Sequence, residues 1–187
     1  MPNTENDIVC ALEPLVGLRL SIARDAASMK NFQFGDIRPD PSGSGTIGWY
    51  ALHVQCPWRI VSDHDIMTGS GDYYEPVDEH GEVELADSKA GNLQRKRLGE
   101  MMHKFASTTR SWINATDQLV VERVTGPPFG GLELLLSGGF RLQVFPDGSR
   151  AEDWRFFSHA SDEDHIVIGG GRIVEGIQSG ETCNGKE

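Results

Sequence analysis

A chain of 187 residues, with 38% hydrophobic and 24% charged side chains, has an ordinary globular balance. It is long enough to bury the core of one domain without a disulfide or a metal. Its formal net charge is −11, which speaks against a nucleic-acid binder, because such proteins gain affinity from Lys and Arg neutralising phosphates.

Residues 1–11 predict a flexible N-terminal arm, followed by a single domain over 12–177. No apolar run approaches the roughly 20 residues of a membrane-spanning helix. The start MPNTENDIV is polar and acidic, unlike a secretory signal. The expectation is a soluble, cytoplasmic protein whose partners include neither nucleic acid nor membrane. Cys10, Cys56 and Cys183 are odd in number and show no CxxC spacing, which predicts free thiols rather than a disulfide framework or a zinc knuckle.

From Pro14 to Met29, the residues Leu15, Leu18, Ile22, Ala26 and Met29 recur at helical spacing and predict an amphipathic helix. Gly17 counts against it, and LRLSIA also alternates as a strand would. NFQF reads as a short strand and PDPSGSG as a loop of turn formers. GWYALHVQC reads as a strand with Tyr50, Leu52, Val54 and Cys56 on one face and Trp49, Ala51, His53 and Gln55 on the other. Pro57, which has no amide hydrogen, ends it.

Residues 62–90 form the longest irregular, acidic stretch. Residues 91–106 predict a second helix, with Leu93, Leu98, Met101, Met102 and Phe105 as its apolar stripe. The remainder predicts an antiparallel meander through QLVVERV, LELLLS, FRLQVF, EDWRFF, HIVIGG and RIVEGIQ, with a flexible C-terminal tail at 178–187. Gly138-Gly139 reads as a two-residue hairpin loop, setting Leu135 opposite Leu142 and Glu133 opposite Val144. Both faces of LELLL are then largely apolar, as in a strand covered on both sides. The predicted fold class is α+β: a mainly antiparallel sheet of about five to seven strands with two helices packed on it.

Charge is unevenly spread. Residues 1–88 hold 5 basic and 15 acidic side chains, 89–110 hold 6 and 1, and 111–187 hold 6 and 12. An acidic surface favours fast encounter with a basic partner. The acidic 62–87 segment therefore marks the first candidate site: Asp72, Tyr73, Tyr74, Asp78, Glu79 and Glu82. Tyrosines bring contact area at low entropic cost, and the carboxylates steer the approach. The plainer reading is a solvated loop with its tyrosines folded back.

The repeated Trp-Arg pairs, PWRI and DWRFF, mark an alternative site: an anion or ligand pocket of Trp49, His53, Arg59 and Arg155 near the strand ends, since guanidinium groups bind carboxylate or phosphate in pairs of hydrogen bonds. Alternation alone also leaves an exposed Arg beside a buried Trp. Asp63, His64 and Asp65, and the 162–165 cluster, hold metal-ligand residue types but no recognised spacing, so no metal and no cofactor are expected. Neither a nucleophile elbow nor a phosphate loop is present, GGGR lacking the Lys and Ser or Thr of the latter.

Together GWYALHVQCPWRIV, TGSGDYY, LELLLSGGFRLQVFPDGS and EDWRFF resemble a family of short bacterial cytosolic proteins, a domain of unknown function, over roughly 14–168. The resemblance implies no catalytic residues. Small acidic bacterial domains of this style include immunity proteins that neutralise a toxin. The functional expectation is a non-enzymatic acidic domain that binds a basic protein partner, with a small-molecule or metal-dependent enzyme as the alternative and a homodimer left open.

Overall fold

The computed structural model describes residues 4–176 except 28, 44, 79–90 and 162–164. Its first half comprises α1 (Thr4–Leu12), β1 (Leu20–Ala26), β2 (Met29–Phe34), β3 (Arg38–Pro39), β4 (Thr46–Ile47), β5 (Tyr50–Val54), β6 (Trp58–Val61) and β7 (Ile66–Gly69). After α2 (Leu93–Met102) come β8 (His103–Ala106), β9 (Ser111–Asn114), β10 (Val121–Thr125), β11 (Leu132–Leu136), β12 (Phe140–Val144), β13 (Glu152–Ser158), β14 (His165–Gly169) and β15 (Arg172–Glu175).

The architecture is mostly antiparallel sheet with two short helices, but the strands divide between two larger sheets instead of forming one of five to seven. One has eight strands in the order β15-β14-β13-β5-β2-β1-β9-β8, and the other has five in the order β10-β11-β12-β6-β7. β3 and β4 form a small ribbon of their own. The chain passes between sheets at Gln55-Cys56-Pro57, where the backbone N–H groups of Gln55 and Cys56 both donate to the Asp153 carbonyl at 2.8 and 3.1 Å. Pro57, with no N–H to offer a ladder, allows the turn.

One core joins the two sheets. Phe32, Phe34, Leu52, Trp154 and Ile168 meet Trp58, Ile60, Leu134, Leu136 and Leu142 in a single buried cluster. α2 packs on β7, at the edge of the smaller sheet, and on β8 and β9, at the edge of the larger. It thus covers strand edges that would otherwise leave backbone groups open to pairing. The far face of the eight-stranded sheet is also partly covered: the Gly48 N–H donates to Gln33 Oε1 at 2.8 Å, and Ile22, Ile47 and Ala51 are buried outside the main cluster.

Four sequence expectations change. Residues 4–12 form α1, with Ile8 and Leu12 fully buried, where a loose arm was expected. The helical spacing over 14–29 gives way to a one-turn 3-10 helix (Glu13–Leu15) and then β1. Val16, at ψ 127°, already leaves the helical turn, Gly17 follows at φ +84°, and β1 buries Leu20 and Ala23 in the core cluster with Ile22 outside it. The second helix stops at Met102, because His103 takes a left-handed φ of 72° and the chain continues as β8. The hairpin loop has three residues, Ser137-Gly138-Gly139, pairing Leu136 with Phe140, Leu134 with Leu142 and Leu132 with Val144. That one-residue change of register brings Leu132, Leu134 and Leu136 onto the same face as Val144, Leu142 and Phe140, toward the core. Glu133 and Leu135, half-buried, take the other face.

Candidate functional site

At one end of the molecule the two sheets leave a cleft of about 240 Å³. Its walls come from four places: the end of the β1–β2 hairpin (Asp25, Met29, Lys30), the crossover (Val54 to Trp58), the 3-10 turn after β7 (Ser70, Tyr73, Tyr74), and Gln94 of α2. An adjoining hollow of about 300 Å³ shares Asp25 and Tyr73 and adds Arg95, Thr109 and Arg110.

The floor is a buried charge cluster. Lys30 lies opposite Val54 in the β2–β5 register, on the same face as Phe32 and Phe34, so strand alternation points its side chain into the core. The residue is 5% exposed. Its ammonium donates to Asp25 Oδ1 and sits 5.7 Å over the Trp58 ring. Arg95 donates to Asp25 Oδ2 through both Nε and Nη2, each at 3.2 Å. Burial pulls the Lys30 amine below its ordinary value, against the attraction of Asp25.

Gln94 completes the floor. It is 1% exposed, and its Nε2 donates to the Gly69 carbonyl at 2.8 Å, while Oε1 has no hydrogen-bond partner among the described residues. α2 is held in place by its N-cap: Asn92 Oδ1 accepts from the Arg95 N–H at 2.9 Å. The rim is aromatic, with carboxylates close to it in the chain. Tyr73 and Tyr74 meet edge to face, with centroids 5.4 Å apart. Tyr74 is 73% exposed, Asp72 is half-buried, and Glu75 and Asp78 are exposed.

The cleft takes in two members of the first sequence-derived site and none of the second. Tyr73 and Tyr74 from the acidic segment line it, and so do Pro57 and Trp58 from the Trp-Arg stretch. Glu79 and Glu82 lie outside the described residues. The set Trp49, His53, Arg59 and Arg155 does not converge, because β6 and β13 belong to different sheets. Arg59 donates to Gln143 at 2.7 Å and stacks over Phe145. Arg155 is paired with Glu152, on the strand next to His53. Burial first, then the charge of Arg155, lowers the His53 imidazole to about 4. Trp49 is exposed beside Gly35.

The other candidates resolve into structural roles. Asp63 pairs with Arg141 at 3.5 Å, and Ser62 Oγ accepts from the backbone N–H groups of His64 and Asp65 in the β6–β7 turn. No group of three or more residues suited to metal occurs among the described residues; 162–164 lie outside them. Gly170 and Gly171 form the β14–β15 turn, with Gly171 N–H on Asp153 Oδ2 at 3.2 Å. Cys56 is a free thiol that burial, then the Asp153 charge, pushes up to about 12. It is therefore a poor nucleophile. Cys10 is disulfide-bonded, against the expectation of free thiols.

Sequence reading missed Asp25, Lys30, Gln94 and Arg95. One signal was available: in MKNFQF, Lys30 shares its face with Phe32 and Phe34, an unusual place for a lysine unless it is paired. No protein-family model, no curated protein and no solved structure matches this chain.

Proposed function

We propose that this chain is a non-enzymatic binding domain that recognises a basic protein partner at the rim of the cleft, through Tyr73, Tyr74, Asp72 and Asp78. The observation that carries the reading is Tyr74, a large aromatic at 73% exposure, braced by Tyr73 and flanked by carboxylates beside a preformed cleft. Exposed aromatics of this kind are the usual anchors of binding energy, and surrounding charge sets the encounter rate. The net charge of −11 adds long-range attraction for a basic partner. The alternative, an enzyme with its pocket at Trp49, His53, Arg59 and Arg155, has less support, since Arg59 lies on the smaller sheet and His53 and Arg155 on the larger. An immunity-like role, with a toxin as the basic partner, is suggested by analogy with other small acidic bacterial domains.

The test is capture of partners from the native cell by the full chain, washed with rising salt, alongside Tyr74→Ala and the double reversal Asp72→Lys/Asp78→Lys. One basic protein held at low salt, released at high salt and lost with Tyr74→Ala supports the reading. Retention unchanged in both variants would sink it. The sequence points to the cytoplasm, and the bond at Cys10 argues against it, because disulfides persist in oxidising compartments and are rare in a reducing cytosol.

A further inference from the structure

We propose that the floor of the cleft binds a carboxylate that carries a neighbouring N–H, with the carboxylate on Lys30 Nζ and the N–H on Gln94 Oε1. The free C-terminus of a polypeptide and an N-acyl amino acid share this chemistry. The inference rests on reading the same cleft as the partner-binding site, and it names what enters.

Two groups on the floor define the ligand. A lysine ammonium has three hydrogens to donate, and Asp25 Oδ1 takes one. Asp25 does not depend on Lys30 alone, because Arg95 donates twice to its other oxygen. Lys30 can thus serve a second carboxylate without stripping Asp25 of partners. Gln94 supplies the complement. Its amide orientation is fixed, since only the NH₂ end can donate to the Gly69 carbonyl, and Oε1 is left as a buried acceptor without a partner among the described residues. Such a group is costly unless something donates to it. A ligand N–H does so.

Size and charge narrow the choice. A volume of about 240 Å³ is below the roughly 300–1,000 Å³ of pockets for drug-sized ligands, and suits one residue instead of a whole cofactor. Trp58 and Met29 supply apolar wall for that residue's side chain. The Asp25 carboxylate on the floor repels a second full negative charge, which favours a monoanionic carboxylate over a phosphate dianion. The carboxylates next to the rim tyrosines in the chain, Asp72, Glu75 and Asp78, suit basic residues ahead of a C-terminus.

The experiment uses the ¹⁵N-labelled full chain, titrated with N-acetyl-leucine, N-acetyl-leucinamide, inorganic phosphate, and one Lys/Arg-rich peptide with a free or an amidated C-terminus. The expected result is a set of amide shifts at Gly69, Ser70 and the Gln94 side chain with the acids. The amides bind at least about tenfold more weakly, the loss of a charge-assisted hydrogen bond. Lys30→Met abolishes the difference between acid and amide. Gln94→Leu weakens the acids without altering that preference, so the proposal stays testable even if Lys30→Met does not fold. Tighter binding of the peptide acid identifies a polypeptide terminus as the source, and equal binding of N-acetyl-leucine identifies a small acid. Acid and amide binding alike, phosphate competing as well as the acids, or no shift at millimolar ligand would each overturn the proposal. If partner capture fails with Tyr74→Ala but is untouched by Lys30→Met, the rim reading stands and the floor assignment falls.

Discussion

Trp58 meets Phe32 edge to face, with ring centroids 5.0 Å apart and planes at 87°. The contact spans the two sheets, because Phe32 belongs to β2 of the larger and Trp58 opens β6 of the smaller. It lies immediately after the crossover and also forms part of the cleft wall. Folding and site geometry therefore depend on the same pair. Phe32→Ala is expected to cost about 3–5 kcal/mol, as for other large-to-small core changes, read as a lower midpoint in urea unfolding. A double-mutant cycle with Trp58→Leu should show a coupling of about 0.5–1.5 kcal/mol, the usual size for an aromatic pair. Independent, additive effects would mean that the two sheets do not meet through this contact.

His53 gives the protein an acid-side dependence. It lies opposite Arg155 in the β5–β13 ladder and edge-on to Phe157 at 4.9 Å. Burial is the main cause of its lowered value, followed by the charges of Arg155, His159 and Arg24, which bring it from 6.5 to about 4. With the folded value below the unfolded one, the unfolded chain takes up the proton first as pH falls. Stability attributable to His53 is thus complete above about 6.5 and lost progressively down to about 4. His159, also lowered mainly by burial, adds in the same direction. NMR of the imidazole nitrogens at pH 5 should find His53 neutral, and His53→Asn should flatten the stability profile across that window. A protonated His53 at pH 5 would refute the assignment.

Cys56 works on the alkaline side. The folded thiol stands near 12 against 9.0 for the free group, so the unfolded chain loses its proton first. Its contribution is complete below about 9 and lost as pH rises toward 12. The native protein should resist thiol reagents at pH 8, and Cys56 should react once the chain is unfolded. Cys10 should become reactive only after a reductant is added. Rapid labelling of two thiols in native, unreduced protein would contradict both statements.

Much of the sheet was legible because alternation survives wherever one face is buried. GWYALHVQC, LELLL and EDWRFF each read correctly as strands. What misled was local ambiguity. Leu15, Leu18, Ile22 and Ala26 fit a helix as well as a strand, and only pairing with β2 and β9 decides between them. The Gly138-Gly139 loop predicts a hairpin, but its register depends on whether Ser137 joins the loop, which the core-facing leucines settle. The site was half legible. Tyr73, Tyr74 and Trp58 stand out by residue type, whereas Asp25 and Lys30 face each other only once β1 pairs with β2, and Gln94 joins them from α2, far along the chain.

The floor of the cleft predicts an asymmetry between its members. Asp25 holds two cations, Lys30 and Arg95, whose side chains are 4% and 9% exposed. Removing the shared carboxylate, as in Asp25→Ala, leaves both amine and guanidinium buried beside each other without it, a situation that typically costs about 3–5 kcal/mol. Lys30→Met removes a charge that burial already disfavours and puts an apolar chain of similar length among Trp58, Val54 and Met29, while Asp25 keeps its two hydrogen bonds from Arg95. It should cost about 1 kcal/mol or less, because the carboxylate left behind keeps a cation partner, whereas a buried charge stripped of its partner costs about 3–5 kcal/mol. Thermal and urea unfolding of the two variants side by side measure the difference directly. Equal, large losses in both would mean that Lys30 is needed for the fold itself, and its place in ligand binding would then have to be read from Gln94→Leu alone.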